Sequence, residues 1–351
     1  MPATMKDIAR ETGLGLATIS KYFNGGQVRP YNRKLIEDAV KKLDYVPNEF
    51  ARSLKTRQSR TVGVVIPELG NAFITSIITA MEDILRKHDY AVIVCDCRSD
   101  VRREKEAVDF LIHKRVDGLI NMATDMTGAH LQSALKEKIP VVLIDRLIRS
   151  LRGKVSAVVV DNAEAADQGT RFLLEQGHRQ IGLVLGSEGL YTTQHRMQGY
   201  LDALHDFSVP CRDELIQYGN YTMDGGYAAV KTLLALENKP TALFVTNFEM
   251  TLGAMLALNE LGVRVPEDLS VIGFDKLDMF GAILSDLTLV KQPQNVIGQQ
   301  AARLILSMMT EDHVPAQIVT LSTQPTDGHS VRRLETETPA ADTESEEFPE
   351  E

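Results

Sequence analysis

From Thr61 onward, short runs of aliphatic and β-branched residues alternate with stretches of helical spacing. The runs are TVGVVIP, AVIVCDC, VDGLINMA, PVVLIDR, SAVVVDN, IGLVLGS, TALFVTN, LSVIGFD and LTLVKQP. This alternation predicts a parallel α/β architecture. Between the first two runs, Ile74, Ile77, Ile78, Met81, Ile84 and Leu85 recur on one helical face, as in a crossover helix laid on a sheet. So many strands exceed one comfortable core, and the stretch from Arg146 to Ala157 breaks the rhythm with Arg, Gly and Lys. Two similar, doubly wound lobes are expected across residues 61–333. The first takes about residues 61–160 and 293–322, the second about 161–292 and 323–333. The chain then crosses near Val160, Pro293 and Thr323, because the helix from Asn295 to Met309 needs a sheet to cover and the strand QIVTLS follows it.

Residues 1–46 read differently. In MKDIARETGLGLATISKYF, Ile8 and Ala9 lie on a first helix, Gly13 sits at a turn and Ile19 lies on a second helix. Together with Leu35, Ile36, Val40 and Leu43 of a third helix they can close one small core, the pattern of an all-α helix-turn-helix. Leu16, Ala17 and Lys21 then point away from that core toward base edges, and Thr18, Ser20 and Asn24 toward phosphates. Lys21 can reach guanine acceptors, whereas Leu16 and Ala17 can make only apolar contacts. The competing reading is a three-helix adaptor without DNA. Residues 47–60 follow with Pro47, the helix cap Asn48 and a short helix from Glu49 to Leu54, too short to be stable alone. Leu54 lies among Arg52, Lys55, Arg57 and Arg60, which suits a wedge entering a minor groove; the alternative is a plain linker.

Charge sharpens this division. The 351 residues carry a net charge of -10, which argues against nucleic acid until it is split by segment. Residues 1–61 hold 12 Lys or Arg against 6 Asp or Glu, whereas residues 334–351 hold 8 acids and no base. That acidic ending has almost no apolar side chains with which to offset the entropy of ordering, so a disordered tail is expected there. It also lacks leucine heptads, which leaves a dimer as the expected assembly. Cys95, Cys97 and Cys211 have no metal-ligand spacing, and no disulfide is expected. The apolar runs fall far short of the roughly 20 residues that span a bilayer, and MPATMKDIARE has no signal-peptide core, so a cytoplasmic protein without membrane contact is expected. No Ser/His/Asp grouping, phosphate loop or metal motif points to an enzyme or a cofactor.

MKDIARETGLGLATISKYFN, YVPNEFARSLKT, VGVVIPELGNAF, VDGLI, PVVLIDR, VVVDN, GHRQIGLVLG, HRMQGY, FVTNFEM, VPEDLSVIGFD and LTLVKQP occur in an order that resembles the LacI/GalR family of bacterial transcription regulators. The resemblance runs from about Thr4 to Val331. It implies a DNA-binding head, a hinge helix paired with its two-fold mate, and a core of two periplasmic-binding-protein-type lobes. By the same resemblance Thr4, Asn48 and Ala51 join the DNA contacts. Phe73, Asp145, Arg196, Asn247, Asp275 and Gln292 line an effector cleft, where carboxylates and a guanidinium fork suit a sugar or sugar derivative. For Phe73 core packing is an equal alternative, and Asp161 and Asn162 read as helix caps and stay outside the site. Four positions depart from the family: Gly15 and Arg29 stand where serine is usual, Ala72 replaces the proline of N-P-F, and Phe248 replaces the acid of A-N-D. The expected function is a homodimeric repressor of a palindromic operator, controlled by a small polar effector. Two alternatives remain open: a phosphorylated carrier protein as effector, docking on Arg102, Arg103 and Lys105, or a sugar receptor that binds no DNA.

Overall fold

The computed structural model describes residues 3–23, 25–46, 58–275, 287–326 and 328–334. The chain divides into two compact units, Met1–Ser59 and Arg60–Glu351.

In the first unit, α1 (Met5–Thr12) begins at Thr4, whose amide and hydroxyl both donate to the Asp7 carboxylate at 2.9 and 2.7 Å. The carboxylate thereby sits in the first turn, where the helix dipole favours negative charge. Gly13 ends the helix at φ 67°, a conformation that a side chain would strain. Next come α2 (Leu16–Phe23) and α3 (Pro30–Lys42), the latter opening on a proline that has no N–H to leave unpaired. Ile8, Ile19 and Ile36, one from each helix, are wholly buried in a single cluster. Each contributes about 1.5–3 kcal/mol by leaving water. Tyr45, just past α3, completes the cluster with its ring 5.2 Å from that of Phe23, a contact that periodicity within helices does not expose.

The second unit starts with β1 (Thr61–Ile66), α4 (Ala72–Lys87), β2 (Ala91–Asp96), α5 (Val101–His113), β3 (Gly118–Asn121), α6 (Gln132–Lys136), β4 (Val141–Ile144) and β5 (Ser156–Val160). A second lobe follows with α7 (Asn162–Glu175), β6 (Ile181–Leu185), α8 (Tyr191–Asp206), β7 (Ile216–Tyr218), α9 (Met223–Leu234), β8 (Ala242–Val245), α10 (Phe248–Glu260), β9 (Ser270–Phe274) and β10 (Thr288–Lys291). The chain then returns to the first lobe for α11 (Gln294–Thr310) and β11 (Ile318–Leu321), and ends in the second with β12 (Gln324–Thr326).

The two sheets have matching orders, β11-β5-β4-β3-β1-β2 and β12-β10-β9-β8-β6-β7. Helices α4 and α11 cover one face of the first sheet, while α5 and α6 cover the other. In the second lobe α7 and α8 lie on one face and α9 and α10 on the other. The parallel architecture read from the sequence is therefore present, with one difference. β12 pairs antiparallel to β10, because the chain enters it directly from β11 without a crossover helix to reverse its direction. β7 was not visible as a run, since three residues with mixed burial leave no periodicity to read. At the end of the described chain, the Leu334 amide donates to the Gln176 carbonyl at 2.7 Å, a contact made by the first residue of the stretch expected to be a tail. Cys95, Cys97 and Cys211 are all free thiols, with Cys97 buried. Among the described residues, no helix is long and apolar enough to cross a membrane.

Candidate functional site

In the head, Ile19 turns α2 inward and leaves Leu16, Ala17 and Lys21 exposed together on its outer face. The stem of Lys21 lies over Gly26, where a Cβ would meet Lys21 Cγ at 2.6 Å. That close approach gives the lysine a backbone shelf and leaves its ammonium outward. Thr18 and Ser20 are half-buried on the flanks, and Thr4 caps α1 with its hydroxyl hydrogen committed to Asp7. Asn24, Asn48, Ala51 and Leu54 lie outside the described residues, and so does the expected hinge helix.

In the core, the six remaining candidates, Phe73, Asp145, Arg196, Asn247, Asp275 and Gln292, line one cavity of about 150 Å3 between the lobes. All but Phe73 and Arg196 stand just beyond the carboxyl ends of parallel strands, where the sheet order of each lobe leaves a crevice. The same turn is built twice. Asp145 follows β4 with φ 66° and donates its amide to Val158 of β5; Asp275 follows β9 with φ 68° and donates to Val290 of β10. Aspartate tolerates this left-handed backbone better than most residues, and here the backbone turns both carboxylates toward the cleft.

Arg196 is positioned by helix packing. Gly199, one turn later on α8, stands where a Cβ would fall 2.0 Å from the Ala163 carbonyl, so its bare backbone lets α8 settle onto α7. Arg196 Nε then donates to Asn162 Oδ1 at 2.9 Å, Nη1 donates to the Thr246 carbonyl, and the guanidinium lies 4.0 Å from the centre of the Phe274 ring. Nη2 makes no hydrogen bond among the described residues. Asn162 is thus a support for Arg196, which its position at a helix start had concealed; Asp161 does cap α7, accepting from the Glu164 amide at 3.1 Å. Asn247 caps α10 through Met250 and donates to Glu249.

Asp275 is almost fully buried, and burial pushes its pKa up to about 7 against the opposing pull of Arg196 and of the Gln292 amide, which donates to it at 2.7 Å. Gln292 Oε1 and Arg146 Nε are buried without hydrogen-bond partners among the described residues, though Arg146 Nη1 donates to the Ala123 carbonyl. Reading by residue type overlooked Arg146, Tyr221 and Thr192 in the cavity wall; Tyr221 shares its hydroxyl with Thr192 and Thr193 at 2.7 and 2.9 Å. Phe73 belongs to the first-lobe core and also lines the cavity. Among the described residues no group of His, Cys, Asp and Glu is arranged to hold a metal.

Comparison with known proteins decides the family. Residues 4–48 match the bacterial regulatory proteins of the lacI family, and residues 59–327 match the periplasmic binding proteins and sugar binding domain of the LacI family. The chain belongs to the LacI family. It is a DNA-binding transcriptional repressor of that family, and its named relatives are transcription regulators. Catabolite control protein A of Priestia megaterium is 34% identical over 323 residues, 92% of this chain and 97% of the relative. The lac repressor dimer bound to operator and the anti-inducer ONPF superposes with a TM-score of 0.84 at 26% identity, covering 95% of this chain and 100% of that one. A LacI family regulator from Enterococcus faecium with bound ribose gives 0.71 at 26% identity, over 78% and 100%.

Two departures of this LacI-family chain come together: Phe248 is buried in a cluster with Leu287 and Leu289, against which Ala72 of the first lobe packs. Burial raises the pKa of the neighbouring Glu249, which accepts a hydrogen bond from Asn247.

Proposed function

We propose that this LacI-family repressor binds a palindromic operator as a homodimer and is controlled by a small polyhydroxylated effector, a sugar or sugar derivative, in the inter-lobe cavity. The observation that carries the reading is the polar character of its wall: Gln292 Oε1 is buried without a hydrogen-bond partner among the described residues, Arg146 Nε is too and has only the Asp145 carboxylate at 3.5 Å beside it, and Asp275 and the guanidinium of Arg196 line the same cavity. Buried groups left unpaired are expensive, and a ligand bearing several hydroxyls can satisfy donors and acceptors together. Ligand spans two lobes, so it favours one lobe closure over another, and DNA affinity follows as the difference between two states. The ribose held by the Enterococcus faecium regulator makes pentoses the first candidates. A panel of pentoses, hexoses and sugar acids in thermal shift, followed by operator affinity with and without the hit at fixed salt, tests the proposal. A panel without a stabilising member, or a hit that leaves operator affinity unchanged, would overturn it.

In the head, Lys21→Ala is expected to relax preference at one base pair of each half-site, costing roughly 1–3 kcal/mol there. Leu54→Ala should weaken specific binding more than nonspecific binding, because nonspecific affinity comes from phosphates and a wedge serves bent, specific DNA. Gel-shift titration on the selected operator and on scrambled DNA checks both, and equal losses on the two DNAs would sink the assignment. A chain ending at Leu334 is expected to sediment as the same dimer as the full chain. The lac repressor dimer supports that assembly, and a tetramer lost on truncation would contradict it.

A further inference from the structure

A second, larger cavity of about 850 Å3 lies beside the effector cleft, and the two have no lining residue in common. Its first-lobe wall is the outer edge of the sheet, where Ile318 of β11 is 37% exposed above the buried Ala157 and Val159 of β5. The segment after β4 adds half-buried Leu147 and two exposed guanidinium groups, Arg149 and Arg152. The second-lobe wall is the start of α8. Tyr191 and His195 stand one turn apart there with ring centroids 4.0 Å apart, and His195 Nδ1 donates to the Tyr191 carbonyl at 2.8 Å. α8 thus presents Tyr191, Gln194 and His195 to this cavity, and Thr192 and Arg196 to the cleft.

The charges at this cavity are unbalanced. Neither Arg149 nor Arg152 makes an ion pair among the described residues. The carboxylates that bear on Tyr191 are Asp161 and Asp145, and both are engaged elsewhere, Asp161 as the cap of α7 and Asp145 beside Arg146. Two unpaired guanidinium forks recognise an oxyanion group; a paired aromatic wall and an aliphatic floor recognise a flat apolar body. We propose that this cavity is a second binding site, for a small aromatic molecule carrying one carboxylate, sulfonate or phosphate group, separate from the effector cleft.

The probe is 1-anilinonaphthalene-8-sulfonate, whose fluorescence rises on entering an apolar site, with N-phenyl-1-naphthylamine as its uncharged counterpart. Titrated into the full chain, the sulfonate is expected to saturate at one site per chain and to bind at least ten-fold more tightly than the amine. The double variant Arg149→Gln, Arg152→Gln removes two exposed charges whose side chains make no hydrogen bond or ion pair among the described residues. It should weaken the sulfonate at least ten-fold and leave the amine unchanged. Ile318→Asp should weaken both probes, because it places a charge on the apolar floor. Equal binding of the two probes, several sites per chain, or a sulfonate affinity unaffected by the double variant would each overturn the proposal. Neither probe is a sugar, so this test stands or falls independently of the effector cleft.

Discussion

Arg196→Ala is expected to abolish the ligand response and to lower stability by about 3 kcal/mol or more. The stability loss has three named parts: Asn162 Oδ1 and the Thr246 carbonyl lose their donor, and the Phe274 ring loses the cation lying 4.0 Å from its centre. A buried acceptor left unpaired costs about 1–3 kcal/mol, and a desolvated cation–π contact contributes about 2. The response is lost for a different reason. A hydrogen bond from a charged group to ligand is worth roughly 1.5–3 kcal/mol, so removing the one nitrogen left for ligand, Nη2, weakens binding by roughly 10- to 100-fold, while the coupling to DNA is only about 1–3 kcal/mol. Arg196→Lys separates the two effects, since it keeps the charge and most of the volume but has no planar fork. Operator titration with the thermal-shift hit should find the lysine variant folded and unresponsive. A full ligand response from either variant would make Arg196 purely structural.

The second large effect concerns pH. Asp275 has an ordinary carboxyl pKa near 3.8 in the unfolded chain and about 7 in the folded one. Between those values the native state holds a proton that the unfolded state has released. Its stability therefore falls as pH rises through that window, by up to roughly 1.4 kcal/mol per pH unit from this group alone. Asp275→Asn has no such proton to lose, and its amide oxygen can still accept from Gln292. The variant should match the parent near pH 4 and become progressively more stable than it up to about pH 7. Urea denaturation of both proteins at pH 4.5, 6 and 8 reads the difference directly, and parallel curves would mean that Asp275 stays ionised throughout. The same substitution should weaken ligand binding at pH 8, where the parent presents a full carboxylate, more than at pH 6. Arg196 is the main cation opposing the shift, so Arg196→Ala should move the window upward.

Much of this was legible along the chain. Nine apolar runs became nine strands, Ile8, Ile19 and Ile36 became the centre of the head, and Gly13 took the left-handed turn expected of it. These features rest on local rules: side-chain period sets which face is buried, and only glycine turns left at no steric cost. Residue type at the ends of strands also singled out residues that line one cavity, since the carboxyl ends of parallel strands open onto a crevice whatever the family.

The tertiary structure alone decided how those residues are used. Arg196 meets Asn162 across 34 residues because Gly199 lets two helices touch, and no spacing within either helix encodes that meeting. Ala72 and Phe248 are separate departures in the sequence and meet in one hydrophobic cluster in space. Tyr191 and Thr192 are neighbours in the chain that face different cavities. Asp275 is an unremarkable aspartate by sequence, and its pKa is raised only because folding removes water from it, by more than the Arg196 charge and the Gln292 hydrogen bond at its side can offset. Periodicity reports which way a side chain faces within its own element; what it faces depends on contacts between distant elements, and these set the burial, pairing and charge on which a binding site depends.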